Sequence, residues 1–314
     1  MNTLIRQFLG AALVATAWIA LAACTSLDKA TPEAHNADVN GARLAYVEEG
    51  HGPTVVLVHG SVADMRSWDR QRALLARHFR VVAYSQRYFG TGPWDPAWPK
   101  IGVQQQSDDL AAFIRSLGAG PVHLVGWSSG GTVAINVSLQ HPQLVKDAFV
   151  YEPPMMSVIT EPTERQTISD DRAEAFGPVV QDLRAGDTSK AVRDVLDAAQ
   201  GRRGALDSWP ASVQAVAMDN ARTLQLEFFN SDPAPSITCE QLGRMTPYVV
   251  VARGSQTRVS YRLMADATAA CLGGGQHGVV VADGRHLWPA DEPKAFAEEV
   301  QRFLSQSSMA TPTK

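Results

Sequence analysis

Short runs of β-branched and other apolar residues alternate along this chain with stretches of helical periodicity, and that alternation leaves few folds open. Thr54–Gly60 (TVVLVHG), Arg80–Arg87 (RVVAYSQR), Val122–Ser128 (VHLVGWS), Asp147–Glu152 (DAFVYE), Tyr248–Gly254 (YVVVARG) and His277–Gly284 (HGVVVADG) read as strands. Upstream, ARLAYVEEG alternates apolar and polar residues as a half-exposed strand does. Helical patterns lie between them, roughly at 64–78, 103–117, 129–140, 258–271 and 291–304. Near-continuous apolar strands separated by amphipathic helices predict a mostly parallel α/β sheet covered on both faces. Ligands of such sheets bind outside the carboxyl ends of the strands.

At 314 residues, 45% hydrophobic and 19% charged, the chain is long enough for one α/β domain carrying an insertion. A net charge of −4 supplies no basic field, so nucleic acid is not an expected partner. The alternation breaks once. Between Pro153 and Ser236 there are helical stretches such as SKAVRDVLDAAQ but no strong strand, and Pro153-Pro154 and SDPAPS punctuate its two ends. Residues 153–236 are therefore expected to form a helical cap inserted after the sixth strand, with residues 39–152 and 237–306 as the core and 307–314 as a disordered tail.

The first 23 residues carry Arg6 in a short polar start, then an apolar stretch, then small residues, the layout of a secretory signal. Leu21-Ala22-Ala23-Cys24 looks like a bacterial lipobox. That likeness implies lipidation of Cys24, a membrane anchor at the bacterial cell envelope, and a flexible tether over polar residues 24–38. Export would leave Cys239 and Cys271 in an oxidising compartment, where the pair can persist as a disulfide. Neither lies in a CxxC motif and no HExxH occurs, so no metal is expected.

The chemistry begins at LVGWSSGG. Gly126-Trp127-Ser128-Ser129-Gly130 fits G-x-S-x-G, with an apolar strand before it and a helical pattern after it. A strand–turn–helix of that kind exposes its serine, which makes Ser128 the candidate nucleophile. His59-Gly60-Ser61 ends an earlier strand. The backbone N–H groups of Ser61 and Ser129 are the candidate donors to an oxyanion, while His59 is expected to order its loop.

The HG strand end, SQRYFGTG after the next strand, GWSSGG and the late GRHLWP together resemble the α/β-hydrolase superfamily, over residues 40 to 306. The resemblance implies an eight-stranded, mostly parallel sheet, a lid, and a Ser…acid…His triad with no cofactor. A serine at the elbow counts against the haloalkane dehalogenases and epoxide hydrolases, which are similar but use an aspartate there. In that chain order, only His277 and His286 follow the nucleophile far enough. His277 precedes its strand and belongs at the opposite edge of the sheet, so His286 is the candidate base.

The acid is the open member. In most of the superfamily it follows the seventh strand, yet SQTRVSYR after YVVVARG holds no carboxylate before Asp266. Glu152, at the end of the sixth strand, occupies the slot that certain similar dehalogenases use. Asp283, Asp266 and the absence of any effective acid remain the alternatives. Trp127, Met155, Met156, Phe228 and Phe229 are candidates to line a cleft between sheet and cap, which suggests a small hydrophobic substrate. The expected activity is carboxylester hydrolysis through an acyl-enzyme. A non-catalytic ligand-binding or sensor protein, a carbon–carbon bond hydrolase and a perhydrolase stand as alternatives.

Overall fold

The computed structural model describes residues 33–94, 100–274 and 277–309. The proposed signal, Cys24 and the first part of the tether lie outside them. Among the described residues, eight strands form one sheet in the order β1-β2-β4-β3-β5-β6-β7-β8. They are β1 (Ala34–Val39), β2 (Ala42–Glu49), β3 (Thr54–Val58), β4 (Arg80–Tyr84), β5 (Val122–Trp127), β6 (Val145–Tyr151), β7 (Tyr248–Gly254) and β8 (Gly278–Val281). Only the β1–β2 and β2–β4 pairings are antiparallel.

Strand β1 corrects the expected tether. Residues 34–38 are part of an edge strand, paired with β2 from Ala34↔Val47 to Val39↔Ala42. The cause is a two-residue turn at Asn40-Gly41, both at positive φ (47° and 73°), which is the backbone that closes a tight hairpin. At the other end, helical backbone continues to Met309, so residues 307–309 do not belong to the expected disordered tail.

Helices cover both faces. They are α1 (Asp69–Leu75), α2 (Val103–Ser116), α3 (Ser129–Gln140), α4 (Pro162–Ala185), α5 (Thr188–Gln200), α6 (Ala211–Asp219), α7 (Thr223–Phe229), α8 (Cys239–Gly243), α9 (Val259–Cys271), α10 (Trp288–Asp291) and α11 (Pro293–Met309). The strand period of two divides the core. Val55 and Leu57 of β3 face Leu75 of α1 and Phe296, Val300 and Leu304 of α11. Val56 and Val58 face Leu110, Phe113 and Ile114 of α2 and Val133 and Val137 of α3. Each fully buried side chain of this size contributes about 1.5–3 kcal/mol of burial free energy.

Between Pro153 and Ser236 the chain carries α4 to α7 and no strand. Val179, Leu183, Val192, Leu196 and Leu224 of these helices pack in the same cluster as Trp127 of β5 and Val62 of the loop after β3. The cap is thus fastened through apolar contact directly above the carboxyl ends of the central strands. At the opposite edge a disulfide joins Cys239, which opens α8, to Cys271, which closes α9.

Candidate active site

Strand β5 ends at Trp127, and α3 begins at Ser129. Between them Ser128 takes φ 56° and ψ −128°, a conformation rare for a residue with a side chain. The turn closes only because its flanks are glycine. A Cβ on Gly126 would stand 2.7 Å from the Gly130 carbonyl oxygen, and one on Gly130 2.3 Å from that of His59. The Ser128 amide is tied to the Tyr151 carbonyl of the neighbouring strand at 2.9 Å. This over-determination holds the strained serine and turns its hydroxyl out above the sheet.

His286 lies in the loop after β8, and three bonds fix that loop. The Trp127 indole donates to the His286 carbonyl at 2.9 Å, the Tyr151 hydroxyl donates to the Arg285 carbonyl at 2.8 Å, and the Leu287 amide donates to the Gln200 side chain of α5 at 3.0 Å. The imidazole Nε2 is 3.0 Å from Ser128 Oγ, and Nδ1 is 2.7 Å from Glu152 Oε2. Elementary donor counting assigns the tautomer. A carboxylate only accepts, so Nδ1 carries the proton and Nε2 is free to accept from the serine.

Glu152 is fully buried and also sits at positive φ, 48°. Its amide continues the ladder to the Ala252 carbonyl at 2.9 Å, after which the backbone turns away into Pro153-Pro154. Its carboxylate is held at both oxygens. Oε1 accepts from the Gly254 amide at 2.8 Å, and Oε2 accepts from the Thr257 hydroxyl at 2.9 Å as well as from His286. The loop after β7 therefore carries no acid, but the end of β7 and Thr257 just beyond it supply two donors to the acid that follows β6. The other carboxylates point elsewhere. Asp266 bonds Arg253 at 2.5 Å, and Asp283 is exposed.

The same segment contributes Tyr261, which sequence reasoning missed. Its ring stacks on the His286 imidazole with centroids 3.8 Å apart and planes 11° apart. An aromatic π-face attracts a cation placed over it. The only sequence signal is an aromatic one turn into the helix after β7, where nothing distinguishes it from a packing residue.

On the other side of Ser128, Gly60, Ser61 and Val62 form the wall of the cavity. Val62 adopts φ 46°, an outlier for a β-branched residue, next to the proposed oxyanion donor. The Ser129 amide, at the first position of α3, has no carbonyl within its own helix to bond. His59 sits beneath. Its Nδ1 donates to the Gly60 carbonyl at 2.9 Å, and Nε2 accepts from the Gln86 amide at 3.0 Å. Burial lowers its pKa to about 4, so the ring is a neutral strut for the loop.

The cavity above these residues has a volume of about 320 Å³. Trp127 and Phe228 line it, together with Phe176, Val195, Leu196 and Tyr261. Three expected lining residues do not. Met155 is buried in the core beneath α3, Met156 packs with Ile159 and Tyr261, and Phe229 is 42% exposed. The helix period accounts for the last case, since adjacent residues of α7 point about 100° apart and Phe228 takes the inward position. Two charged residues share the cavity, Arg172 and Glu227. Among the described residues no group of three or more His, Cys, Asp or Glu side chains could hold a metal ion.

The comparisons with known proteins agree with this architecture. Residues 55–299 match the model of the alpha/beta hydrolase family. The chain is 31% identical over 117 residues to bifunctional epoxide hydrolase 2 of Sus scrofa, a stretch covering 37% of this chain and 21% of that protein. It is 25% identical over 155 residues to the uncharacterised hydrolase YraK of Bacillus subtilis, covering 49% of this chain and 54% of that one. These matches thus span between about a fifth and about half of the curated relatives. Among solved structures it is similar to a thermophilic esterase from Thermogutta terrifontis, with a TM-score of 0.65, 20% identity, and 88% and 99% of the two chains covered. With a family match running through the sheet, the elbow and the loop of His286, the chain belongs to the alpha/beta hydrolase family.

Proposed function

We propose that this protein cleaves a small, largely apolar carboxylic ester through an acyl-enzyme, with Ser128 as nucleophile, His286 as base and Glu152 as the acid that orients it. The observation that carries the reading is the unbroken relay from Ser128 Oγ to His286 Nε2 at 3.0 Å and from His286 Nδ1 to Glu152 at 2.7 Å. A serine rather than an aspartate at the elbow favours ester over epoxide or haloalkane chemistry.

The geometry supports the following sequence. Ser128 Oγ attacks the ester carbonyl while its proton passes to His286 Nε2, and the carbonyl electrons move onto oxygen. The amides of Ser61 and Ser129 face that oxyanion, a term worth several kcal/mol in a water-poor site. Glu152 and the Tyr261 face stabilise the imidazolium. Collapse of the intermediate breaks the bond to the alcohol, which leaves with the proton from Nε2. Water then attacks the acyl-enzyme by the same route in reverse, and the carboxylic acid departs. A volume of about 320 Å³ lies at the low end for small-molecule pockets, which favours short acyl or aryl groups.

We also propose that the chain is exported and anchored to a membrane by lipid on Cys24, as the LAAC sequence suggests. Hydrolysis of 4-nitrophenyl esters graded from acetate to dodecanoate tests the enzymatic reading. Turnover should be greatest for short chains and vanish in Ser128→Ala. Retention of wild-type turnover by that variant would refute it. Metabolic labelling with a radiolabelled fatty acid tests the anchor, and a Cys24→Ala chain that still takes up label would exclude it.

A further inference from the structure

Glu227 is a carboxyl group the proposed mechanism does not use, yet it faces the same cavity as Ser128. It lies on α7 of the cap. One oxygen accepts from the Thr223 hydroxyl at 2.7 Å and the other from the Ser61 hydroxyl, across the seam between cap and sheet. No cation pairs with it among the described residues. Arg172 lines the cavity too, but its guanidinium lies over the Phe176 ring, 5.3 Å from the centroid.

The surroundings make this group expensive to keep. Val195, Leu196 and Phe228 share its cavity, and burial pushes its pKa above the usual carboxylate range, against the opposing pull of the two hydroxyls. If its task were only to tie the cap to Ser61, a neutral amide or hydroxyl would serve without desolvating an acid. A carboxylate offers about four acceptor positions, and two hydroxyls fill about half of them. What the cavity holds is an acceptor short of donors, with Val195, Leu196 and Phe228 in the wall around it, beside the residue that would bind the oxyanion.

We infer that the cavity binds esters carrying a hydrogen-bond donor away from the scissile bond, a hydroxyl or an ammonium group, and that Glu227 receives it. The inference rests on the ester-hydrolase reading above and narrows its substrate class. The apolar wall holds the hydrocarbon part, and Glu227 fixes one polar point. Small-molecule sites commonly combine an apolar lining with a few placed polar groups in this way. A substrate with only hydrocarbon there would leave the carboxyl unpaired and bind less well.

The test uses matched esters in which a terminal methyl is replaced by hydroxyl or by ammonium, at successive positions along the acyl chain and, in a parallel set, along the alcohol. The quantity read is the ratio of kcat/KM between donor and methyl members of each pair. Damage to the oxyanion site through Ser61 affects both members alike and cancels. Thermal melting and fluorophosphonate labelling establish that each variant is folded. The wild type should prefer the donor ester at one or more positions by about tenfold or more, the scale of a hydrogen bond to a charged group. Glu227→Leu should bring that ratio to within about twofold of unity, and Glu227→Gln should keep a hydroxyl preference while losing an ammonium one, on the same scale. No donor preference at any position in the wild type, or a preference that survives Glu227→Leu, would overturn the inference while leaving the hydrolase reading intact. Absence of turnover on both members of every pair would instead remove the hydrolase reading, and this inference with it.

Discussion

Replacing Glu152 by glutamine asks the most of the proposed site, because it removes a charge while preserving shape. In the wild type three donors converge on this fully buried carboxylate: the Gly254 amide at 2.8 Å, the Thr257 hydroxyl at 2.9 Å and His286 Nδ1 at 2.7 Å. A glutamine has one acceptor oxygen for them. The backbone amide of Gly254 cannot rotate away, so the side-chain oxygen should stay there and the NH2 should face Thr257 and His286. Thr257 can turn to accept. The imidazole can accept at Nδ1 only in the other tautomer, with its proton on Nε2, where it can no longer take one from Ser128. Triad-acid substitutions of this kind lower kcat on the order of 10²–10⁴-fold, or about 2.7–5.4 kcal/mol of barrier at 1.36 kcal/mol per decade. The assay is steady-state hydrolysis of a short 4-nitrophenyl ester at neutral pH, with thermal melting as the fold control. Asp283→Asn and Asp266→Asn should each remain within about twofold, as expected for surface changes outside the site. Near-full kcat in Glu152→Gln would mean that the carboxylate does not set the imidazole tautomer, and the acid assignment would fall.

Further outcomes follow from the same geometry. Tyr261→Leu removes the stacked face from His286 and should reduce kcat by roughly 3–30-fold, the scale of a cation–π contact. Tyr261→Phe should leave kcat nearly unchanged, and an undiminished kcat in the leucine variant would refute the role of the ring. His59, whose pKa burial lowers from 6.5 to about 4, binds its proton more readily unfolded than folded. Its contribution to stability is therefore complete above pH 6.5 and lost as the pH falls towards 4, by up to about 3 kcal/mol. Urea denaturation across that range should show a steeper acid loss for the wild type than for His59→Gln, and equal slopes would contradict it. The Cys239–Cys271 disulfide closes a loop with a sequence separation of 32 and should stabilise by about 3–4 kcal/mol. Cys239→Ser/Cys271→Ser should accordingly lower the denaturation midpoint, and an unchanged midpoint would dismiss that figure.

The parts of the molecule legible in the sequence are those set by local pattern. The G-x-S-x-G elbow lies between a strand and a helix beginning at Ser129, because β-branched periodicity, close-approach glycines and helical spacing all speak within a few residues. Strand β1 was hidden in a polar segment. Its legible signal was Asn40-Gly41 rather than hydrophobicity, since an edge strand in a hairpin with one solvated face needs few apolar residues. Glu152 could be suggested as the acid only through the order of elements. The bonds that hold its carboxylate come from Gly254 and Thr257, about a hundred residues away, and no local pattern encodes them. The cavity was the least legible part. Met155, Met156 and Phe229 share composition with true lining residues, and only packing separates Phe228 from its neighbour. Glu227 and Tyr261 were not visible at all, because their roles arise from cap and sheet meeting in space.

The account depends above all on Ser128 being the atom that attacks. Intact-protein and peptide mass spectrometry after reaction with a fluorophosphonate measures this directly. One phosphonyl adduct should form per chain, on the peptide containing Ser128, at a rate that Glu152→Gln and His286→Ala reduce and that Ser128→Ala abolishes, with Ser129→Ala still reacting. An adduct located elsewhere, or one that forms at an undiminished rate in Ser128→Ala, would contradict the nucleophile, the relay behind it and the ester chemistry derived from them.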